Sequence, residues 1–174
     1  MGPTPTLQEM IELARTAGSI VLEGFNNAHT ISFKSEVDVV TEMDHLSEEY
    51  LLREIRSRFP QDSILAEESG SINGSHETVW IVDPLDGTVN YSHRLPIYSI
   101  SIAYQVKGAL QMGVVYNPSQ DECFSAARGK GAWLNGSPIH VSETSDLIQT
   151  LLVTGFPYDR HGTDFDLNMR YFSE

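Results

Sequence analysis

The pattern of apolar positions near the start of the chain predicts a helix. Apolar residues recur there at helical spacing, and Thr6 and Glu9 precede them as a capping-box pair. Gly24 and the pair Asn26 and Asn27 are suited to the end of this helix. The predicted buried face consists of Leu7, Met10, Ile11, Ala14, Ala17, Val21 and Phe25.

A second helix is predicted from about Asp44 to Phe59. Either Thr41 or Asp44 is suited to be its N-cap residue. Arginines near its C-terminus interact favourably with the negative end of the helix dipole. Pro60 ends the helix because its ring cannot continue the hydrogen-bond pattern. A short extended segment, Thr30–Phe33, lies between the two helices.

After Pro60 the apolar period changes from that of a helix to that of a strand. Short apolar runs separated by turn residues such as Lys107-Gly108 and Asn135-Gly136 predict an antiparallel meander. In one run Ile100, Ile102 and Tyr104 alternate with small or polar residues, as in a half-buried strand. The predicted strands are Ser63–Ala66, Val79–Val82, Ser99–Tyr104, Leu110–Tyr116, Glu122–Ala127 and Ala132–Leu134.

The last part of the chain returns to apolar and then helical character. Leu147–Thr154 is apolar, and Asp164–Phe172 begins another helix without a visible stop signal. The elements together predict an α+β fold in which helices cover an antiparallel sheet, formed by one domain over residues 1–174. One outer, C-terminal layer of this arrangement is expected to be missing.

Composition and charge narrow the possible functions. The 174 residues include 11 basic and 24 acidic residues, and the formal net charge of −13 argues against nucleic acid as the main partner. No apolar run is long enough to span a membrane, and no secretory signal is present, so a cytoplasmic protein is expected. The single cysteine, Cys123, lies in an apolar run and is expected to be a buried thiol.

The strongest chemical signal is the segment from Trp80 to Tyr91, WIVDPLDGTVNY. An apolar strand leads to Asp83, after which Pro84 is expected to stop sheet pairing and turn the chain. The Asp86 carboxylate and the Leu85 carbonyl can then face one space, and such oxygen ligands suit Mg²⁺. The amides of the following Gly-Thr pair could bind an anion. An alternative is an acidic turn in which Asp86 only caps a helix.

A second acidic pair, Glu67 and Glu68, directly follows the predicted strand Ser63–Ala66. If this strand lies beside Val79–Val82, both strand ends place carboxylates at the same edge of the sheet. A pair of glutamates alone is more often a solvated loop. A bound cation would also explain how so acidic a chain attracts a phosphate ester.

At this point the sequence resembles the inositol monophosphatase family of magnesium-dependent, lithium-sensitive phosphatases. The order and spacing of several motifs carry this resemblance, which covers essentially the whole chain. Two residues differ from family habit, Ala66 in place of glycine and Leu85 in place of isoleucine, and neither change removes a ligand. The matching motifs are Val37–Asp44, Ala66–Ser69, Trp80–Tyr91, Ala127–Gly136 and Thr154–Arg160.

The resemblance implies a role for each matching residue. Glu67, Asp83 and the Leu85 carbonyl would hold a first Mg²⁺, and Asp83 with Asp86 would hold a second. Asp86 and the Gly87 and Thr88 amides would bind the phosphate. The Thr88 hydroxyl, held by Asp44, would orient the attacking water, which Glu67 would help to activate. The implied function is two-metal hydrolysis of a small phosphate monoester, such as inositol-1-phosphate or a related sugar phosphate.

The family pattern also includes a Trp-Asp-x-Ala-Ala-Gly motif that does not occur in this sequence. Its aspartate would complete the second metal site, so the chain is expected to bind one metal and phosphate but to turn over slowly. The alternative is a non-catalytic module that binds metal or partners. A homodimer is left open, because family members are often dimers. The residues that would identify the substrate mostly belong to the family's later segments.

A rival phosphatase class uses Asp-x-Asp-Gly-Thr, with the first aspartate as the nucleophile. The spacing here is Asp-x-x-Asp, and the predicted meander does not alternate strands with helices as that class requires. The pair Gly129 and Gly131 lacks the third glycine of a dinucleotide-binding loop. The six histidines have no zinc-site spacing. Neither a dinucleotide site nor a zinc site is therefore expected.

Overall fold

The computed structural model describes residues 3–27, 31–33, 39–153 and 167–171. Within these ranges the helices are α1 (Leu7–Asn26), α2 (Glu42–Arg58) and the short α3 (Thr88–Ser92), and residues 167–171 are also helical. A 3₁₀ turn covers Leu147–Gln149. The strands are β1 (Ile31–Phe33), β2 (Val39–Thr41), β3 (Asp62–Ala66), β4 (Gly70–Ile72), β5 (Ser75–Asp86), β6 (Ser99–Val106), β7 (Ala109–Asn117), β8 (Glu122–Ala127), β9 (Gly131–Leu134) and β10 (Ser137–Ile139).

Several predicted features fall partly or wholly outside the described ranges. Asp38 and the motif Thr154–Arg160 are among the residues that the structure does not describe. Of the predicted helix Asp164–Phe172, residues 167–171 are helical and the others lie outside the described ranges. The apolar run that starts at Leu147 contains only the single 3₁₀ turn, and its described side chains are exposed.

The main sheet has eight strands in the order β10-β9-β8-β7-β6-β5-β3-β4. From β5 to β10 each strand pairs antiparallel with the next, which confirms the predicted meander. The sheet is mixed rather than wholly antiparallel, because β3 and β5 run parallel with Ala66 opposite Val82. The hairpin to β4 returns the chain to the start of β3, so β5 begins where β3 begins. Both strands consequently end at one edge of the sheet.

Helix α1 packs against α2 and the strands β6 to β8, and its capping box is present as predicted. The Thr6 hydroxyl accepts from the Glu9 amide at 3.2 Å, and the Glu9 carboxylate accepts from the Thr6 amide at 2.8 Å. Much of the predicted face is fully buried, and Leu13, which was not assigned to that face, is buried as well. This 20-residue helix, packed against both a helix and the sheet, therefore buries a wider stripe of its surface than the apolar spacing in the sequence predicts.

Helix α2 begins two residues before its predicted start. Thr41 is the N-cap, and Asp44 supplies the reciprocal half of a second capping box, so both residues named as candidate caps take part. The helix ends at Arg58, with Phe59 as its C-cap, directly before Pro60. It packs against β5, β3 and α1.

The core lies between the two long helices and one face of the sheet. Trp80, Ile100, Ile102 and Tyr104 are buried there, and Ser101 and Ala103 alternate toward the other face. Cys123 is buried as predicted. On the opposite face the apolar side chains are less covered; the partly exposed ones are Leu65, Val115 and Phe124. Among the described residues, no helix combines the length and apolarity that crossing a membrane requires.

Candidate metal and phosphate site

The ends of β3 and β5 bring two of the predicted metal ligands together. The Glu67 amide donates to the Val82 carbonyl at 3.1 Å, which extends the parallel ladder by one step and places Glu67 beside Asp83. Because Ala66 and Val82 are buried toward the helices, the next residue on each strand points to the other face of the sheet. The predicted meeting of the two strand ends is therefore present.

The Asp83 carboxyl group lies in an environment that opposes its ionisation. Partial burial raises the pKa of Asp83, and so do a hydrogen bond with Glu67 and repulsion from the charges of Glu67 and Asp86. The Leu85 amide, which donates to Asp83 Oδ1 at 3.2 Å, acts in the opposite direction. The net result is a pKa of about 8 for Asp83. A cation at this position would relieve the same repulsion that a proton relieves.

The prediction that Pro84 stops sheet pairing is wrong. Asp83 pairs with Ser101 and Asp86 pairs with Ser99, so β5 continues through a bulge that contains Pro84 and Leu85. Proline is tolerated at a bulge because its missing N–H is not needed in the ladder there. The Pro84 carbonyl instead accepts a hydrogen bond from the Ser47 hydroxyl at 2.8 Å. The bulge separates the two aspartates while keeping both at paired positions.

Gly87 connects this bulge to α3. Its φ of +90° is unfavourable for any residue with a side chain, and an added Cβ would lie 3.0 Å from the Ile97 carbonyl oxygen. Gly87 is the N-cap of α3 and no side chain caps this helix, so the alternative in which Asp86 only caps a helix is wrong. The Gly87 and Thr88 amides lie at the start of α3, where helix amides lack an intrahelical acceptor.

Asp44 and Thr88 are in contact, as the resemblance implies. The Thr88 hydroxyl lies 3.0 Å from Asp44 Oδ1 and also 3.0 Å from the Leu85 carbonyl oxygen. Asp44 is 1% exposed, and its other oxygen accepts from the Thr41 amide at 2.8 Å and the Thr41 hydroxyl at 2.6 Å. The capping box of α2 thus fixes the carboxylate that holds Thr88.

Two cavities lie on the sheet face opposite the long helices. One of about 330 Å³ is lined by Glu67, Asp83 and Ser101, together with apolar strand residues. The other, of about 300 Å³, is lined by Asp86, Gly87 and their neighbours. Since Asp83 and Asp86 belong to the same strand, the two cavities follow one another along β5. There is room beside both carboxylates for an ion and a small anion.

The predicted metal ligands are only partly assembled. Among the residues that the structure describes, no three His, Cys, Asp or Glu side chains are grouped so that they could hold a metal ion. Glu67 contacts Asp83, whereas the exposed Asp86 carboxylate faces the Ser99 hydroxyl at 3.4 Å. The Leu85 carbonyl oxygen, the remaining predicted ligand, lies 3.0 Å from the Thr88 hydroxyl oxygen. A metal site formed by Glu67, Asp83, Leu85 and Asp86 therefore stays a prediction.

Sequence reasoning missed two buried polar residues that contact this region, Ser47 and Glu48. Glu48 is 3% exposed, and it accepts hydrogen bonds from the Glu68 amide at 2.9 Å and from the Ser69 hydroxyl. A signal was present, because Ser47 and Glu48 follow Asp44 at helical spacing, so that three polar residues share one face of α2.

Comparisons with known proteins show which proteins this chain is similar to. The sequence pattern of the inositol monophosphatase family matches residues 3–170. The Nus factor SuhB of Pasteurella multocida is 41% identical over 157 residues, which cover 88% of this chain and 59% of that protein. Inositol monophosphatase 3 of Solanum lycopersicum is 41% identical over 152 residues, covering 85% of this chain and 57% of that protein.

Among solved structures, an inositol monophosphatase from Anabaena (Nostoc) sp. PCC 7120 superimposes with a TM-score of 0.75 at 43% identity. The match covers 88% of this chain and 57% of that chain. The α+β layered fold is therefore shared with solved members of this family. This chain spans somewhat more than half the length of each of these relatives.

Proposed function

Because the chain belongs to the inositol monophosphatase family, we propose that it contributes the metal-binding and phosphate-binding part of a Mg²⁺-dependent phosphomonoesterase. The reaction is the hydrolysis of a small phosphate monoester, such as inositol-1-phosphate or a related sugar phosphate, to an alcohol and inorganic phosphate. The observation that carries the proposal is the contact between Glu67 and Asp83, with a pKa of Asp83 of about 8. An acidic pair held together at a strand edge favours a cation as its partner.

The residues at this edge fit Mg²⁺ by their chemistry. Magnesium prefers oxygen ligands and keeps several waters, so two carboxylates and a backbone carbonyl are a sufficient protein contribution for one ion. Glu67, Asp83 and the Leu85 carbonyl would hold the first ion, and Asp83 with Asp86 would hold a second. The side chain of Asp86 would turn from Ser99 toward Asp83 to do so. When bound, Mg²⁺ supplies a more acidic water and neutralises the phosphate charge.

The other site residues act on the water and the phosphate. The Thr88 hydroxyl donates its hydrogen bond to Asp44 or to the Leu85 carbonyl, so its oxygen keeps a lone pair that can accept a hydrogen bond from a water. That water would be oriented toward phosphorus, and Glu67 would accept the proton that the water loses as it attacks. The Gly87 and Thr88 amides would donate to the phosphate oxygens. The water attacks phosphorus directly, so no covalent phosphoenzyme forms.

The partners of the protein follow from the same proposal. The substrate is a small phosphate monoester, whose identity the described residues do not distinguish, and a homodimer is a further part of the proposal. With a formal net charge of −13, the chain repels nucleic-acid phosphates away from its metal site. A substrate panel that includes inositol phosphates and other sugar phosphates addresses specificity.

The decisive experiment measures phosphate release by the chain from this panel, with Mg²⁺ and with EDTA. Turnover should require Mg²⁺. Thr88→Val keeps the shape of the side chain but removes the hydroxyl, and it should lower kcat by about 10²–10⁴-fold, the usual contribution of a positioned proton-transfer group. The matched control is Ser92→Ala on the same short helix, where the lost hydroxyl donates to the Val89 carbonyl and to no proposed site residue among those the structure describes.

Each alternative has its own outcome. Hydrolysis that is insensitive to EDTA, or equal turnover by Thr88→Val and the unmodified chain, would contradict the proposal. Mg²⁺ binding without phosphate release from any ester would favour the non-catalytic module. A phosphoaspartate trapped at Asp83 would favour the phosphatase class with an aspartate nucleophile.

A further inference from the structure

One face of α2 carries three buried polar residues, Asp44, Ser47 and Glu48. Their exposed fractions are 1%, 0% and 3%, and their spacing of three and four residues places them on the same side of the helix. A buried hydroxyl is unfavourable without a hydrogen-bond partner, and a buried carboxylate is more so. The partners of these side chains therefore show what this face of the helix holds in place.

Each of the three residues reaches a different segment of the proposed site. Asp44 accepts from the Thr88 hydroxyl, 44 positions further along the chain. Ser47 donates to the Pro84 carbonyl, 37 positions away, within the bulge between the two aspartates. Glu48 accepts two hydrogen bonds from the turn that follows β3, from residues 20 and 21 positions further along the chain.

The contacts of Glu48 fix the backbone around Glu67. The Glu67 amide is held by the Val82 carbonyl, and the next amide, that of Glu68, is held by Glu48. Ser69 adds a third anchor through its hydroxyl. With consecutive peptide groups tied to β5 and to α2, the Glu67 side chain leaves the backbone in a defined direction, toward Asp83.

Ser47 acts on the bulge in a comparable way. The ladder between β5 and β6 is interrupted between Asp83 and Asp86, so the Pro84 carbonyl needs a partner outside the sheet. The Ser47 hydroxyl is that partner at 2.8 Å. Fixing this carbonyl fixes the Pro84–Leu85 peptide plane, which lies between the two aspartates, and so restrains their separation.

We propose that Ser47 and Glu48 are positioning residues for the metal site. The polar face of α2 then aligns the turn after β3 and the bulge of β5, which carry the proposed metal ligands, with the start of α3, which carries Thr88. The inference rests on the proposed function, because the segments matter only if they bind a cation. Neither residue is among the proposed ligands of the ion or of the phosphate. They act through the backbones of Pro84 and of Glu68-Ser69, as partners that orient metal ligands commonly do.

The experiment compares Mg²⁺ affinity, measured by calorimetry on the 174-residue chain, with thermal stability measured in EDTA. Glu48→Met removes both hydrogen bonds and should weaken Mg²⁺ binding by about 10- to 100-fold, the usual effect of removing an orienting partner. Glu48→Gln can accept from the Glu68 amide and donate to the Ser69 hydroxyl. Its affinity should therefore remain within about threefold of the unmodified chain.

Two controls separate positioning from general stability. Glu49→Met makes the same chemical change at the adjacent, exposed position and should leave Mg²⁺ affinity unchanged. Ile55→Val trims a buried residue of the same helix, so it should lower the midpoint of thermal unfolding without weakening Mg²⁺ binding. Ser69→Ala removes one bond of Glu48 from the exposed side and should weaken binding by about fivefold, even if Glu48→Met does not fold.

The inference is overturned if folded Glu48→Met binds Mg²⁺ as tightly as the unmodified chain, if Ile55→Val weakens binding equally, or if Ser69→Ala has no effect. A chain that binds no Mg²⁺ at all would instead refute the proposed function. In that case, amide hydrogen exchange measured without metal tests whether Glu48 holds the backbone next to Glu67. The Glu68 amide must exchange at least about tenfold faster in Glu48→Met, or in Ser69→Ala if the former does not fold, than in Glu49→Met.

Discussion

Replacing Asp83 with asparagine tests whether the acidic cluster is maintained at the expense of stability. The pKa of Asp83 is about 8 in the folded chain, against an ordinary value of 3.8. A carboxyl group whose pKa is raised by folding stabilises the folded state while it stays protonated there. The unfolded chain loses this proton first, so stability falls as pH rises from about 4 to about 8.

The magnitude follows from the same values. Each pH unit across this window is worth about 1.4 kcal/mol at most, which gives a ceiling of about 4 kcal/mol at neutral pH. Asp83 is only half-buried, so solvent screening reduces the effect to about 1–2 kcal/mol. Asparagine has no proton to lose, and its amide can still donate to Glu67. Without metal, Asp83→Asn should therefore be about 1–2 kcal/mol more stable than the unmodified chain near neutral pH.

The assay is urea unfolding of both proteins in EDTA and in excess Mg²⁺, at about pH 4 and about pH 8. In EDTA the advantage of Asp83→Asn should appear at the higher pH and vanish at the lower one. In Mg²⁺ the order should reverse, because an ion at 100 times its Kd stabilises the unmodified chain by about 2.7 kcal/mol and the variant loses a ligand. Mg²⁺ binding near neutral pH should also release a proton from Asp83.

A matched control variant at Asp121 should change stability in the opposite direction. Asp121 forms an ion pair with Arg15 at 2.6 Å, and this hydrogen bond holds the pKa of Asp121 below its ordinary value. Asp121→Asn should therefore lose stability near neutral pH, with or without Mg²⁺. The reasoning about Asp83 is refuted if Asp83→Asn is less stable than the unmodified chain in EDTA at about pH 8, or if Mg²⁺ stabilises both proteins equally.

Two further predictions concern backbone conformation and helix capping. Gly87→Ala should cost about 1–2 kcal/mol for its left-handed backbone, with an added contact to the Ile97 carbonyl, and should reduce turnover. Gly70→Ala, with positive φ but open space around the added Cβ, should lose less stability and keep its turnover. Thermal unfolding measures the stability of both variants, and phosphate release measures their turnover. Equal losses in the two variants would contradict the role of the contact with the Ile97 carbonyl. Thr6→Ala should cost about 1 kcal/mol in urea unfolding, and no loss would mean that the first capping box does not stabilise α1.

Local sequence determined much of what was predicted correctly. The capping box at Thr6, the N-cap at Thr41 and the strand alternation around Ile102 each depend on residues a few positions apart, and the structure contains all of them. The segment from Trp80 to Tyr91 also carried the family resemblance, which the match over residues 3–170 confirms. Such features could be predicted because the interactions that form them are short in sequence.

The tertiary structure decided the contacts between distant segments. The parallel pairing of β3 with β5 places Glu67 beside Asp83. From the sequence this pairing could be stated only as a condition for the site, because nothing local specifies which strands are neighbours. The prediction that Pro84 stops sheet pairing is wrong, since a proline shows that a ladder bond is missing but not that pairing resumes two residues later. The direction in which Asp86 points likewise depends on Ser99 across the sheet.

The buried polar face of α2 shows the physical reason most clearly. Taken alone, Ser47 and Glu48 look like ordinary polar residues of a surface helix. They are buried because β3, β5 and the turns after them pack over that face, and their partners lie 37, 20 and 21 positions away. The sequence determined the helix and the residue types on it. Packing determined that these residues contact the proposed metal site, because burial and distant hydrogen bonds exist only once the chain has folded.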